Sequence, residues 1–247
     1  MVHYLNDAQE FRYAIGLTRS ILYNRRQHAP NSSTQEFYAR FSDSLERIER
    51  VHICVFSLSE QRNLLSQWRS YCPATGGYAL GFQTASLKPI LANHGFVLLP
   101  CTYDHSQQQA LLNDVLDGSL GPVVRELGTS AVSVDQAIEA ALAALVPQFA
   151  PVAAIIKHPS FSEEREWRLI SSLLPSDHPT LRFRPGNGLL IPYYELALDG
   201  ADAPFGHVVI GPSPNQQLAM DSLTVFLTRL GIKWKGIENS RIPFRVL

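Results

Sequence analysis

Between Ala137 and Ile156 the chain reads AIEAALAALVPQFAPVAAII, a stretch so apolar that it must lie either in a bilayer or inside a protein core. Glu139, Pro147, Gln148 and Pro151 interrupt it too often for a membrane span. Proline lacks the amide hydrogen that a helix interior needs, so the spacing predicts a buried helix ending near Pro147, then a strand over Ala153 to Lys157. Such a helix requires a core that encloses it. A chain of 247 residues, 45% hydrophobic and 17% charged, can supply one in one or two domains, and this composition excludes disordered, collagen-like and disulfide-scaffold proteins.

The rest of the chain alternates helical and strand patterns. Phe11, Ile15, Thr18 and Leu22, then Phe37, Phe41, Leu45 and Ile48, recur at helical spacing on either side of the polar stretch His28 to Ser33, so residues 6 to 28 and 34 to 50 form a helical pair. Val51 to Phe56 is rich in β-branched and aromatic residues and reads as a buried strand. Ser57 with Glu60 fits a capping box and predicts that a helix begins at once, with Leu64, Trp68 and Tyr71 on its stripe and Cys72-Pro73 at its end. Tyr78 to Phe82 and Gly95 to Tyr103 read as strands, and residues 106 to 150 as helices broken by Gly118, Gly121 and Pro122. Trp167 to Leu173 reads as another strand, and Leu181 to Tyr194 as a turn-rich β region. A strand (His207 to Ile210), a Gly-Pro-Ser-Pro turn, a helix (Asn215 to Leu230) and a tail strand follow. No internal repeat or linker stands out. The pattern predicts a single α+β domain over residues 1 to 247, with a mixed, largely antiparallel sheet and flanking helices. Residues 1 to 50 form its N-terminal helical extension.

Twenty-one basic residues against 22 acidic ones argue against a duplex-DNA binder, which carries a broad basic surface. All but four of the basic residues are arginine, whose rigid bidentate fork suits carboxylates and phosphates. Cys54, Cys72 and Cys101 form no CxxC pair and no zinc-like spacing with histidine, which points to free thiols in a cytoplasmic protein and to no metal. The N-terminus lacks the basic start and apolar run of a signal peptide, and no membrane association is expected. The phosphate-loop, dinucleotide, serine-hydrolase and zinc-protease motifs are missing, so no bound cofactor is expected.

Four segments in order, VFSLSEQRNLLSQWRSYCPATGGYALGF (Val55 to Phe82), KHPSFSEEREWRL (Lys157 to Leu169), HVVIGP (His207 to Pro212) and NSRIPFR (Asn239 to Arg245), resemble the bacterial "domain of unknown function" family 2971. Members share a Phe-Ser start, a Leu-Leu-x-x-Trp-x-x-Tyr helix, a Gly-rich turn and a later Glu-x-Glu-x-Arg run. The resemblance implies a shared fold and a polar site over about residues 50 to 247.

Three constellations carry chemistry. If SEEREWRL is extended, Glu164, Glu166 and Arg168 share one face, and two carboxylates beside an arginine can be set apart in pKa for acid–base work or for stabilising an oxocarbenium-like ribose. A Glu-x-Glu pair on a strand edge is similar to that of the ADP-ribosyltransferase superfamily, and by that analogy Glu166 is the catalytic candidate with Glu164 its neighbour. No clear counterpart of that superfamily's earlier Arg or His strand, or of its Ser-Thr-Ser segment, is present. The alternative is a structural Glu–Arg pair on a solvated sheet face. The second constellation is Gln67, Trp68, Arg69, Tyr71, Gly76, Gly77 and Tyr78, where Arg69 and backbone amides can approach an anion and Tyr71 or Tyr78 can stack on a base, while Trp68 reads as core. The third joins Ser240, Arg241 and Arg245, placed in the tail strand, to the turn Gly211 to Asn215, where a helix N-terminus can hold an anion or the arginines can pair with Glu164 or Glu166. Lys157-His158 could supply a base or an anion clamp, although a lone histidine is more often structural.

Two function classes follow. The first is a nucleotide-handling enzyme that cleaves or transfers the ADP-ribose part of NAD, with NAD as substrate rather than cofactor, Glu166 at the ribose and Arg69 and Arg241 on phosphates. The second is a non-catalytic sensor or partner-binding module for a small anionic ligand, a nucleotide or an acidic peptide.

Overall fold

The computed structural model describes residues 8–50, 52–73, 76–129, 132–186, 188–198 and 205–243. Its elements run α1 (Ala8–Gln27), α2 (Ser32–Ser44), a 3-10 turn (Leu45–Arg50), β1 (Val55–Ser59), α3 (Leu65–Tyr71), β2 (Tyr78–Phe82), α4 (Thr84–Asn93), β3 (Phe96–Pro100), α5 (His105–Gly128), α6 (Val134–Ile155), a 3-10 turn (Pro159–Glu164), β4 (Glu166–Ser171), β5 (Leu181–Pro185), β6 (Leu190–Tyr194), β7 (Phe205–Ile210), α7 (Gln216–Arg229) and β8 (Gly236–Asn239). The fold is α+β, with an N-terminal helical pair. Three strand pairs, β2–β7, β3–β4 and β5–β6, are antiparallel, and β7–β8 is parallel.

The chain clusters into two compact units. The first comprises Met1–Leu58, Phe96–Glu163 and Trp167–Glu195; the second comprises Ser59–Gly95, Glu164–Glu166 and Leu196–Leu247. The first is organised by α5 and α6, against which α1 and α2 pack through Phe11, Phe37, Phe41 and Phe149, each almost fully buried. Phe11 meets Phe149 edge-on at 5.8 Å. The helical pair thus contributes to this core. A second apolar cluster joins Ile53 and Ile170 to Ala150, Ala154 and Ile155, seating the sheet β1-β4-β3 on the end of α6.

Helix α6 corrects the expectation of a break at Pro147. It starts from a capping box of Ser133 and Gln136 and continues through Pro147 and Pro151 to Ile155. An interior proline costs about 3 kcal/mol, but Leu145, Phe149, Ala150 and Ala153 are buried on either side of these prolines, and each large side chain withdrawn from water returns about 1.5–3 kcal/mol. The expected strand there shrinks to one bridge between Ile156 and Thr102. α6 is long and apolar enough to cross a membrane by length and composition, and half of its most apolar window is buried within the protein. Helix α5 likewise runs unbroken past Gly118, Gly121 and Pro122, with Leu116, Leu120 and Val123 in the core.

Two further boundaries differ. The strand expected from Val51 starts at Val55 and includes Ser57, so no capping box forms; α3 begins at Leu65, and its N-cap position, Leu64, offers no side-chain bond. The serine that closes the turn is Ser59, whose hydroxyl accepts the Gln61 amide at 2.9 Å and donates to the Glu164 carbonyl at 2.6 Å. Strand pairing thus outcompetes the local cap. In the second unit the sheet order is β2-β7-β8, and β7, α7 and β8 form a parallel crossover. The α4 helix, invisible as such in the sequence pattern, buries Leu87 and Leu91.

Candidate functional site

The Glu-x-Glu run does not form a single extended face. Glu164 closes a 3-10 turn, Arg165 takes a left-handed backbone (φ 42°), and the strand starts only at Glu166. Alternation within β4 keeps Glu166 and Arg168 on one face, but it does not reach Glu164, which is half-buried. Glu166 itself is buried.

Arg168 is 6% exposed. Its Nη1 donates to the Ala154 carbonyl at 2.5 Å, and its Nη2 pairs with the Glu10 carboxylate. Lys157 Nζ lies 3.4 Å from Glu10 Oε1 and 5.1 Å above the Phe161 ring, while Gln108 Nε2 holds the Lys157 carbonyl at 2.8 Å. Arg168 and Lys157 are thus parts of a buried ion cluster on Glu10. A ligand reaching either would have to displace a carboxylate in the core, which sets Arg168 apart from the exposed candidates Arg69 and Arg241. Glu10 was not legible as their partner, because it sits one position from Phe11 in what reads as an ordinary amphipathic helix. His158 is exposed, accepts the Ser160 amide at 3.2 Å and lies edge-on to Tyr13 at 5.7 Å. Among the described residues, no group of three His, Cys, Asp or Glu side chains is placed to hold a metal ion.

The second unit presents a different site. Antiparallel β2 and parallel β7 and β8 bring three connections to one end of the sheet: Gly76-Gly77 before β2, Gly211–Asn215 after β7, and the residues after β8. Tyr78 pairs with Ile210, and Ile210 with Asn239, across this end. Two glycines let the connections close up. At Gly211 a Cβ would stand 2.9 Å from the Trp68 ring and 3.1 Å from the Gly77 carbonyl, which the Gly211 amide bonds at 2.8 Å. Gly76 has φ +113° and lies against Ser213. Trp68 is core, as the sequence implies, and it sets the floor of the Gly-Pro-Ser-Pro turn.

Two amides lace the site together. Asn63 Oδ1 accepts from Trp68 Nε1 at 2.8 Å and from Ser240 Oγ at 2.7 Å, and Ser240 Oγ accepts the Ile242 amide at 3.3 Å. Gln216 Nε2 donates to the Gly211 carbonyl at 3.0 Å and to the Ser240 carbonyl at 2.9 Å. Between the two laced segments lies a cleft of about 490 Å³, lined by residues 212–214, Gln216 and residues 239–243.

This cleft is electropositive by construction. Arg241 is exposed and has no ion-pair partner among the described residues. The N-cap position of α7, Asn215, makes no side-chain cap, so the positive end of the helix dipole is left at the cleft. Asn239 also lines the cleft, and its side-chain oxygen is buried without a hydrogen-bond donor. Ser240 and Arg241 are thereby brought together with the turn, though both follow β8 instead of lying in it. Arg245 falls outside the described residues. Arg69, at the last turn of α3, is exposed, as are Tyr71 (64%) and Tyr78 (49%). None of these three, and neither Glu164 nor Glu166, lines the cleft. Burial raises the pKa of the Cys72 thiol, which lies against Gly77. Asn63, Gln216 and Asn239 were missed from sequence; Asn239 opens a family-like block and Asn63 lies inside one, whereas Gln216 lies outside all four and carried no signal.

A family model described as "Protein of unknown function (DUF2971)" matches residues 67–169. That stretch contains the helix from Gln67 and all of the Lys157 to Leu169 block; the last two family-like blocks lie beyond it. Comparison with curated proteins and with solved structures gave no match.

Proposed function

We propose that the second unit is a recognition module for a small phosphate- or carboxylate-bearing ligand of nucleotide type, bound at the carboxyl ends of β7 and β8. One observation carries the reading: a single cleft combines an arginine without a carboxylate partner among the described residues, an uncapped helix N-terminus and a buried amide oxygen without a donor. The first two attract an anion such as a nucleotide phosphate, and the third leaves an unused acceptor in a lining residue beside them. The carboxyl ends of parallel strands flanking a crossover helix are also where open α/β units bind ligands. The transferase reading is the weaker of the two, because Glu164 and Glu166 do not share a strand face and Arg168 is committed to Glu10.

Thermal-shift measurements with AMP, ADP and NAD at low ionic strength test this. A ligand at about a hundred times its Kd should stabilise the protein by about 2.7 kcal/mol, be recovered unchanged, and lose its effect in Arg241→Ala. No shift with any of them would overturn the reading. Nicotinamide release that disappears in Glu166→Gln would replace it with catalysis.

A further inference from the structure

Helix α7 and its C-cap expose four large apolar side chains on the side that faces away from its own unit. It packs on β7 and β8 through the side that buries Leu227, while Leu218 and Val225 are each 69% exposed and Phe226 and Leu230 more than half exposed. At about 100° per residue, Leu218, Val225 and Arg229 fall on one stripe, with Asp221 and Ser222 at its edges and Phe226 and Leu230 flanking it. Leu218 and Val225, two turns apart, with Phe226 and Leu230 beside them, make an exposed apolar patch of the kind that marks a contact surface.

The charges on the stripe specify what covers it. Asp221 and Arg229 are the helix's only charged residues; Asp221 lies one turn before Val225 and Arg229 one turn after. If two copies of α7 pack antiparallel about a twofold axis at Val225, each Asp221 faces the other copy's Arg229 and the two Val225 side chains meet on the axis. A parallel pairing would set Asp221 against Asp221 and Arg229 against Arg229. Gln217 Nε2 steadies Asp221 through a hydrogen bond of 3.0 Å to Oδ1. A helix that is neutral overall offers a charged foreign partner no selective attraction, whereas the stripe is complementary to itself, which an isologous contact requires. We infer that α7 is a homodimerisation helix: a second copy of this chain covers Leu218, Val225 and the flanking Phe226 and Leu230 in an antiparallel, twofold arrangement. One helix face is small for a protein interface, so the dimer is reversible and dissociates on dilution.

Sedimentation velocity of the full chain across a dilution series tests this, together with charge reversal. The wild-type chain should move from dimer to monomer on dilution. Asp221→Arg should weaken dimerisation roughly tenfold, because two attractions become two repulsions, and the double variant Asp221→Arg/Arg229→Asp should restore it. Val225→Cys should give a reductant-sensitive cross-linked dimer under mild oxidation, and Thr224→Cys, which starts from an exposed position 100° round the helix, should not. A chain monomeric at every concentration would overturn the inference. So would a dimer indifferent to Asp221→Arg, a double swap that fails to rescue, or equal cross-linking at both cysteines.

Discussion

Arg168 and Arg241 are the same residue in opposite settings, one in each unit. In the first unit Arg168 is enclosed by the core, its fork engaged by Glu10 and the Ala154 carbonyl, with Lys157 on the same carboxylate. In the second, Arg241 stands open at the rim of a cleft whose walls are laced by Asn63 and Gln216. The lesson concerns cost. A desolvated arginine must keep its partner, because removing either leaves a buried charge uncompensated, whereas an exposed one contributes little to stability and is available to a ligand. Burial thus separates a structural arginine, Arg168, from an exposed one, Arg241, on which the proposed ligand site rests.

The largest effect that can break this comparison lies in the first unit. Glu10→Gln should destabilise the protein by about 3–5 kcal/mol in urea unfolding, since it removes the charge of the carboxylate that Arg168 and Lys157 share; a loss below 1 kcal/mol would mean the cluster is not the structural centre described. Next, Gly211→Ala pushes a methyl group into the Trp68 ring and the Gly77 carbonyl and should cost about 1–3 kcal/mol, with a change in Trp fluorescence reporting that the disturbance lies at the cleft. Asn63→Ala leaves the Trp68 indole and the Ser240 hydroxyl without their acceptor and should cost about 1–3 kcal/mol. Ligand affinity should fall with it, because Ser240 precedes Arg241.

Much of this was visible in the sequence. β2 falls over the residues its pattern predicts, and β7 and α7 fall within a residue or two of expectation. The misreadings share a cause, in that a local signal was overruled by packing. Pro147 and Pro151 predict a helix end, but the buried residues around them carry the helix through. Ser57 and Glu60 fit a capping box, but Ser57 is held in a strand. The alternation of Glu164, Glu166 and Arg168 looks like one face until the left-handed Arg165 divides it, and nothing in SEEREWRL announces that turn. Of the cleft lining, the Gly-Pro-Ser-Pro turn, Ser240 and Arg241 were legible because they lie in or directly after family-like blocks. The contribution of Asn63 was not, since its partners are 5 and 177 residues away.

The smallest expected effect concerns pH. Asp104 caps α5, and bonds from the Ser106 hydroxyl and the Gln107 amide hold its carboxyl below its ordinary value of 3.8. Its folded-state pKa is depressed, so its contribution is present above pH 3.8 and is lost as pH falls below that value. Asp104→Asn, which keeps a capping oxygen but no charge, should flatten the acid limb of the stability profile measured by circular dichroism. An unchanged limb would show that the cap does not titrate with folding.

The most direct measurement is a titration of the full chain with AMP followed by backbone amide resonances. Saturable shifts should concentrate at Ser213, Gln216, Asn239 and Arg241, and should vanish in Arg241→Ala while the α6 resonances stay in place. Resonances at those four positions that do not move, or binding that moves a different part of the molecule, would contradict the assignment of the cleft as the ligand site.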